Sequence, residues 1–287
     1  MIKDVTLGQY FPGKSIIHKL DPRVKVLLTL VNIVFIFIAG NFSSLGLMTV
    51  FTLVAMLLSG VPFTRYIRSI RGVLFIVLFT SILNLFYGGG TVLVQWGFIQ
   101  ITTGGIRNAI FIAVRIVVLI LMSSILTYTT SPTQLTDALE RLMKPLKIFR
   151  IKVHEIAMMM TIALRFVPTL LEETDKIMSA QKARGADLES GGIISRVKAL
   201  IPVLIPLFVS SFRRAYDLAM AMECRCYNGG KGRTKMKVLH ITTKDVVTSL
   251  ITVAVCAGVV LLNLFSRKLF DIKDISIYEK FAFENFI

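Results

Sequence analysis

"VVTSLITVAVCAGVVLLNLF", residues 246–265, runs for twenty residues without a charge. A helix of that length covers about 30 Å, the thickness of the hydrocarbon core of a bilayer. Four more apolar runs precede it, at about 24–39, 45–58, 73–87 and 108–128, bounded by glycine, asparagine or basic clusters. The first three are short for a bilayer and call for tilt, local thinning or protein neighbours. The composition agrees with membrane residence: 54% of the residues are hydrophobic, mean hydropathy is +0.72, yet 33 Lys+Arg stand against 17 Asp+Glu. A soluble domain rarely combines the two. The chain is therefore expected to be all-α, a polytopic membrane protein with about five transmembrane helices and long cytoplasmic helices. Its polar start, followed by several such runs, reads as an uncleaved membrane segment.

The charges decide orientation and argue against a nucleic-acid partner. Of the 33 basic residues, five lie in 1–25, three in 59–72 and nineteen in 132–244, whereas the loops at 40–44 and 88–106 have none. Basic residues stay on the cytoplasmic side, so the N-terminus and the region 132–244 are expected on the inner side of the cell membrane. The domain reading follows: 1–131 is a membrane part with four spans, 132–244 a block of cytoplasmic or interfacial helices, 245–266 the last span, and 267–287 an external tail forming a small surface element. The uncharged loop around Trp96 suits an interfacial anchor or a short hairpin. Arg115, two turns into the fourth span, is expected to serve structure by facing other helices or snorkelling, since the spans hold no Asp, Glu or His to relay with it.

The block 132–244 reads as helical. Pro132 stands at a first helical position, followed by an apolar face of Leu135, Ala138, Leu139, Leu142, Met143 and Leu146. Two longer runs repeat one design: an apolar first half with proline, a polar second half, then glycine. Each ends in an arginine flanked by small residues, Ala183-Arg184-Gly185 and Cys224-Arg225-Cys226, with the arginines 41 residues apart. Small flanks let a partner surface approach, and a guanidinium offers five donors in a rigid fork. A zinc site would need further cysteine or histidine ligands, and a redox pair sits poorly in a reducing cytoplasm, so the chemistry is assigned to the arginine. The bulk of Cys226 argues against a glycine-style helix stop there and points to Asn228-Gly229.

Other motifs carry less. "GQYFPGKS", residues 8–15, matches a phosphate loop by letter, but it has no strand before it and Asp21-Pro22 interrupts soon after, so no nucleotide is expected there. His154-Glu155 lacks a second histidine. Glu172, Glu173 and Asp175 have the spacing to meet Lys176 and Lys182 on a solvated ion-pair face. No metal and no cofactor is expected.

Taken in order, "GQYFPGKSIIHKLDPRVK" before the first span, "ALRFVP" at 163–168, "AQKARG" at 180–185, "AMECRCY" at 221–227 and "GKGRTK" at 230–235 resemble the transmembrane T component of energy-coupling factor (ECF) transporters, prokaryotic importers of vitamins and micronutrients. The likeness spans essentially the whole chain. It implies a scaffold without enzymatic activity, partnered by two ABC-type ATPases, a membrane-embedded substrate-binding S component and the lipid bilayer. It also implies that Arg184 and Arg225, with Ala183, Gly185, Cys224 and Cys226, end coupling helices that insert into the ATPases. The family's second motif resembles Ala-Arg-Gly, from which Cys224 and Cys226 depart. If the component is shared among S components, Met158, Met159 and Met160 suit an adaptable contact surface for them. Two alternatives stand beside this reading: a dedicated cobalt or nickel T component, and an intramembrane enzyme using Arg115, His154 and Glu155.

Overall fold

The computed structural model describes residues 9–86, 89, 91–96, 99–186, 192–229 and 239–284. Gly8 of the phosphate-loop pattern, the stretch 230–235 and the side chains of Trp96 and Leu146 lie outside the described residues. The order is α1 (Pro22–Ile38), α2 (Phe42–Ser59), α3 (Phe63–Phe86), β1 (Val92–Trp96), β2 (Ile99–Thr102), α4 (Thr103–Thr129), α5 (Pro132–Leu142), α6 (Val153–Ala183), α7 (Ile193–Glu223) and α8 (Thr243–Glu284). The strands form one antiparallel hairpin with Trp96 opposite Ile99, and among the described residues everything else regular is helical. The chain divides into two compact units, one of residues 10–131 and 239 onward, the other around 132–238.

In the first unit α4 lies along α3 and also touches α1 and α2, while α8 packs on α1 and α2. Its core holds Ile36, Leu45, Met48, Tyr66, Val118, Ile125 and Val259, all buried. Phe75 on α3 and Leu57 on α2 are 80% and 76% exposed, amid other outward Leu, Ile and Phe. Such a surface belongs in lipid rather than water.

Polar side chains inside this unit link the ends of its helices. Asp21 caps α1 by accepting from Arg23 N (2.9 Å), with Pro22 at the first helical position. Asp245, 1% exposed, accepts from Asp21 N and from Thr242 N, both at 2.7 Å. Arg23 donates to Leu239 O (2.7 Å), and the buried Lys25 donates to Thr129 O (3.0 Å) at the last residue of α4, where a cation complements the helix dipole. The stretch Asp21-Pro22-Arg23-x-Lys25 therefore ties α1 to the end of α4 and the start of α8. Arg115 likewise serves structure: it donates to Ala39 O beyond the end of α1 and lies 4.6 Å over the Phe111 ring, which packs edge-on against Phe42.

The segment before α1 is closed by its own histidine: Ser15 Oγ bonds His18 Nδ1 (2.7 Å), whose Nε2 reaches Phe11 O (2.8 Å). The ring fills the space where a Gly13 side chain would be, 2.7 Å from an added Cβ.

Several boundaries differ from the sequence reading. The third helix starts at Phe63, ten residues ahead of the apolar run, because Arg65, Arg68 and Arg71 continue the same helix. The backbone of α8 continues helically through the expected external surface element as far as Glu284. Among the described residues, six helices are long and apolar enough to cross a membrane: α2, α3, α4, α6, and the stretches Val197–Glu223 and Thr243–Ser266. The set includes parts of both long helices of the 132–244 block, whose apolar first halves carry the hydropathy, and omits the 17-residue α1.

Candidate functional site

The second unit begins with α5, whose apolar face ends early because Pro145 cannot continue an α-helix; Lys144–Phe149 form a 3-10 turn instead. His154 at the start of α6 pairs with Glu140 of α5 (3.1 Å), and Glu155 with Lys152 (3.5 Å). Arg115, His154 and Glu155, the residues of the enzyme alternative, thus each make a separate contact.

α6 and α7 are both 31 residues long and pack antiparallel. Glu173 of α6 accepts from Ser210 Oγ (2.5 Å) and Arg214 Nη2 (2.8 Å) of α7, while Met158 and Ile162 near the start of α6 share a groove with Met222 and Arg225 at the end of α7. Glu173 therefore reaches across to the other helix instead of pairing with Lys176 on its own. With this register Arg225 stands beside the start of α6 and Arg184 at its end. By helical rise, the two are about 33 Å apart along α6.

The two helices stop in the same way. After α6, Gly185 N donates to Lys182 O (3.0 Å) and Ala186 N to Gln181 O (3.0 Å), with Gly185 at φ +83°. After α7, Cys226 N donates to Glu223 O (2.8 Å) and Tyr227 N to Met222 O (3.0 Å), with Cys226 at φ +54°. This pair of crossed bonds around a left-handed residue is the Schellman stop. The expected stop at Asn228-Gly229 is therefore wrong: Cys226 itself takes the left-handed conformation, since the two bonds it completes outweigh the steric cost of its small side chain. Arg184 and Arg225 occupy the identical place, one residue before the left-handed turn.

All six residues of the two triplets are exposed: Ala183, Arg184, Gly185, Cys224, Arg225 and Cys226. Neither arginine has an ion-pair partner among the described residues. Each guanidinium thus stands at a carbonyl-rich helix end with its donor fork open, which suits docking to an acidic or carbonyl-lined surface. The methionines divide: Met158 lies in the groove beside Arg225, while Met159 and Met160 are more open, at 58% and 38% exposure. Sequence reasoning missed Asp245 and the Glu173–Arg214 link. Asp245 is an acid just ahead of the last apolar run and could have been flagged; nothing local in the sequence pairs residues 173 and 214.

Comparison with known proteins agrees with this arrangement. Residues 13–236 match the family described as "Cobalt transport protein" (CbiQ). The energy-coupling factor transporter transmembrane protein EcfT of Ruminiclostridium cellulolyticum is 52% identical over 263 residues, covering 92% of this chain and 98% of that protein. That of Clostridium kluyveri is 53% identical over 90% of this chain and 97% of its own length. The one from Bacillus subtilis is 46% identical over 88% and 97%. With a helical membrane fold, twin arginine-tipped helices and likeness along nearly its entire length, the chain belongs to the EcfT family of energy-coupling factor transporter transmembrane proteins.

Proposed function

We propose that the chain is the scaffold of an ECF-type importer, passing the ATP-driven closing of two ABC-type ATPases to a membrane-embedded S component that carries a vitamin or other micronutrient. The observation that carries this is the equivalence of Arg184 and Arg225: same helix stop, same position within it, opposite ends of one antiparallel pair. Two like pegs facing apart suit two like sockets. Each peg would dock in one ATPase, with the small flanks Ala183, Gly185, Cys224 and Cys226 allowing close approach. The nineteen basic residues of 132–244 support a position for these helix ends at the cytoplasmic side, where ATP is available. Met159 and Met160, exposed on α6, are proposed to contact the S component, since unbranched thioethers repack against different partners.

Affinity purification of the tagged chain from its native membrane tests the reading. Two ATPase subunits and an S component are expected with it. Arg184→Ala combined with Arg225→Ala should insert in the membrane yet lose the ATPases or ATP-driven uptake; normal uptake by that variant refutes the assignment. The family description "Cobalt transport protein" favours one second reading, a T component dedicated to cobalt or nickel. Uptake of the bare metal ion and not of vitamins by the purified complex would establish it.

A further inference from the structure

The 41-residue offset that relates Arg184 to Arg225 also relates Glu172 to Arg213, Glu173 to Arg214, and Lys176 to Asp217. At all three equivalent positions the two long helices carry opposite charges. Burial follows the same symmetry, the inner pair half-buried and the outer four residues exposed. The inner pair is in contact: Arg214 Nη2 lies 2.8 Å from Glu173 Oε2, and Ser210, one turn back on α7, holds Glu173 Oε1 at 2.5 Å. When two antiparallel helices related by a repeat touch at equivalent residues, those residues lie on the pseudo-two-fold axis of the pair. From that axis each arginine peg is eleven residues away, about 16 Å of helix, in opposite directions.

We infer that Glu173 and Arg214 form the pivot at which the two coupling helices cross, with equal arms running from it to Arg184 and Arg225. The inference rests on the coupling role proposed above and deepens it. A half-exposed ion pair adds little to stability. Its effect here is geometric: a carboxylate held at both oxygens by donors one turn apart on α7 fixes where, and at what rotation, the helices meet. Displacement of one peg is then transmitted to the other helix as rotation about that point rather than lost as sliding. Glu173 and Arg214 are positioning residues and touch neither nucleotide nor cargo.

The test uses the full complex, co-expressed with its ATPases and an S component and reconstituted in liposomes with a radiolabelled B vitamin retained by that S component. Glu173→Arg and Arg214→Glu are each expected to lower vitamin transported per ATP hydrolysed at least tenfold, and the double exchange Glu173→Arg/Arg214→Glu to regain at least half of the wild-type ratio. Glu173→Gln, which keeps one oxygen to accept from Arg214, can donate its NH2 to a turned Ser210 hydroxyl and loses the charge, should fall in between. If a single reversal also sheds the ATPases, the double exchange should bring them back. Wild-type ratios in the single variants, or a double exchange no better than either of them, overturn the pivot and leave the coupling role standing. A wild-type chain that purifies without any ATPase removes the coupling role itself, and the pivot with it.

Discussion

At Cys226 a residue with a β-carbon does the work of glycine. A left-handed backbone costs an L-residue about 1–2 kcal/mol, and the cost is met because the turn satisfies two carbonyls of the last helical turn. Cys226→Gly should therefore stabilise the end of α7 by about 1 kcal/mol, read as slower amide exchange at 224–227. The converse holds at Gly185, where an added Cβ meets nothing within 4 Å, so only backbone strain opposes it. Gly185→Ala should weaken the end of α6 by a similar amount, and equal exchange rates in both variants would refute the shared stop. Asp245 poses the opposite problem. Its two oxygens accept from two backbone amides in a buried place, and an asparagine can offer only one acceptor atom. Asp245→Asn should leave one amide facing an NH2 group, cost about 1–3 kcal/mol and lower the melting temperature in detergent; an unchanged melting point would mean the site is wetter than its burial indicates.

Among elements, how much was legible depended on range. The apolar runs announced α1, α2, α4 and the first part of α8, because a bilayer demands long uncharged stretches and leaves them in the composition. The start of α3 was hidden, since Arg65, Arg68 and Arg71 interrupt the apolar pattern without interrupting the helix. The ends of α6 and α7 were readable as arginine between small residues, yet Cys226 misled, because side-chain bulk says less than the two hydrogen bonds a turn completes. The Glu173 link was out of reach for local reasoning: spacing along one helix proposes Lys176, and only packing supplies Arg214. One further element contact was equally hidden. At the junction of α3 and α4 a Cβ on Gly105 would lie 2.2 Å from Leu85 O, a backbone atom that cannot swing aside. Gly105→Ala should push the two helices apart and destabilise the fold by more than 1 kcal/mol, whereas Gly46→Ala on α2, with nothing within 4 Å, should be neutral or stabilising. Similar melting points for the two variants would show that α3 and α4 do not meet closely at Gly105.

For the whole molecule the proposed docking has a reporter built in. Cys224 and Cys226 flank Arg225 and are exposed, while Cys256 in α8 is buried. A membrane-permeant maleimide should therefore modify two thiols quickly and the third slowly in the isolated chain, giving an internal control in the same molecule. If Arg225 seats in an ATPase, both exposed thiols are covered in the complex, and their labelling by mass spectrometry should slow at least tenfold while that of Cys256 does not change. Arg225→Ala leaves the thiols in place and removes the peg, so protection should vanish even though Arg184 still holds its own ATPase. Arg184→Ala should do the reverse and keep Cys224 and Cys226 protected, because the two pegs stand at opposite ends of the helix pair and dock separately. Equal labelling of the two thiols in the isolated chain and in the complex would place the ATPases elsewhere. Loss of protection in Arg184→Ala as well would mean the sockets bind only as a pair, and that one peg alone cannot hold its motor.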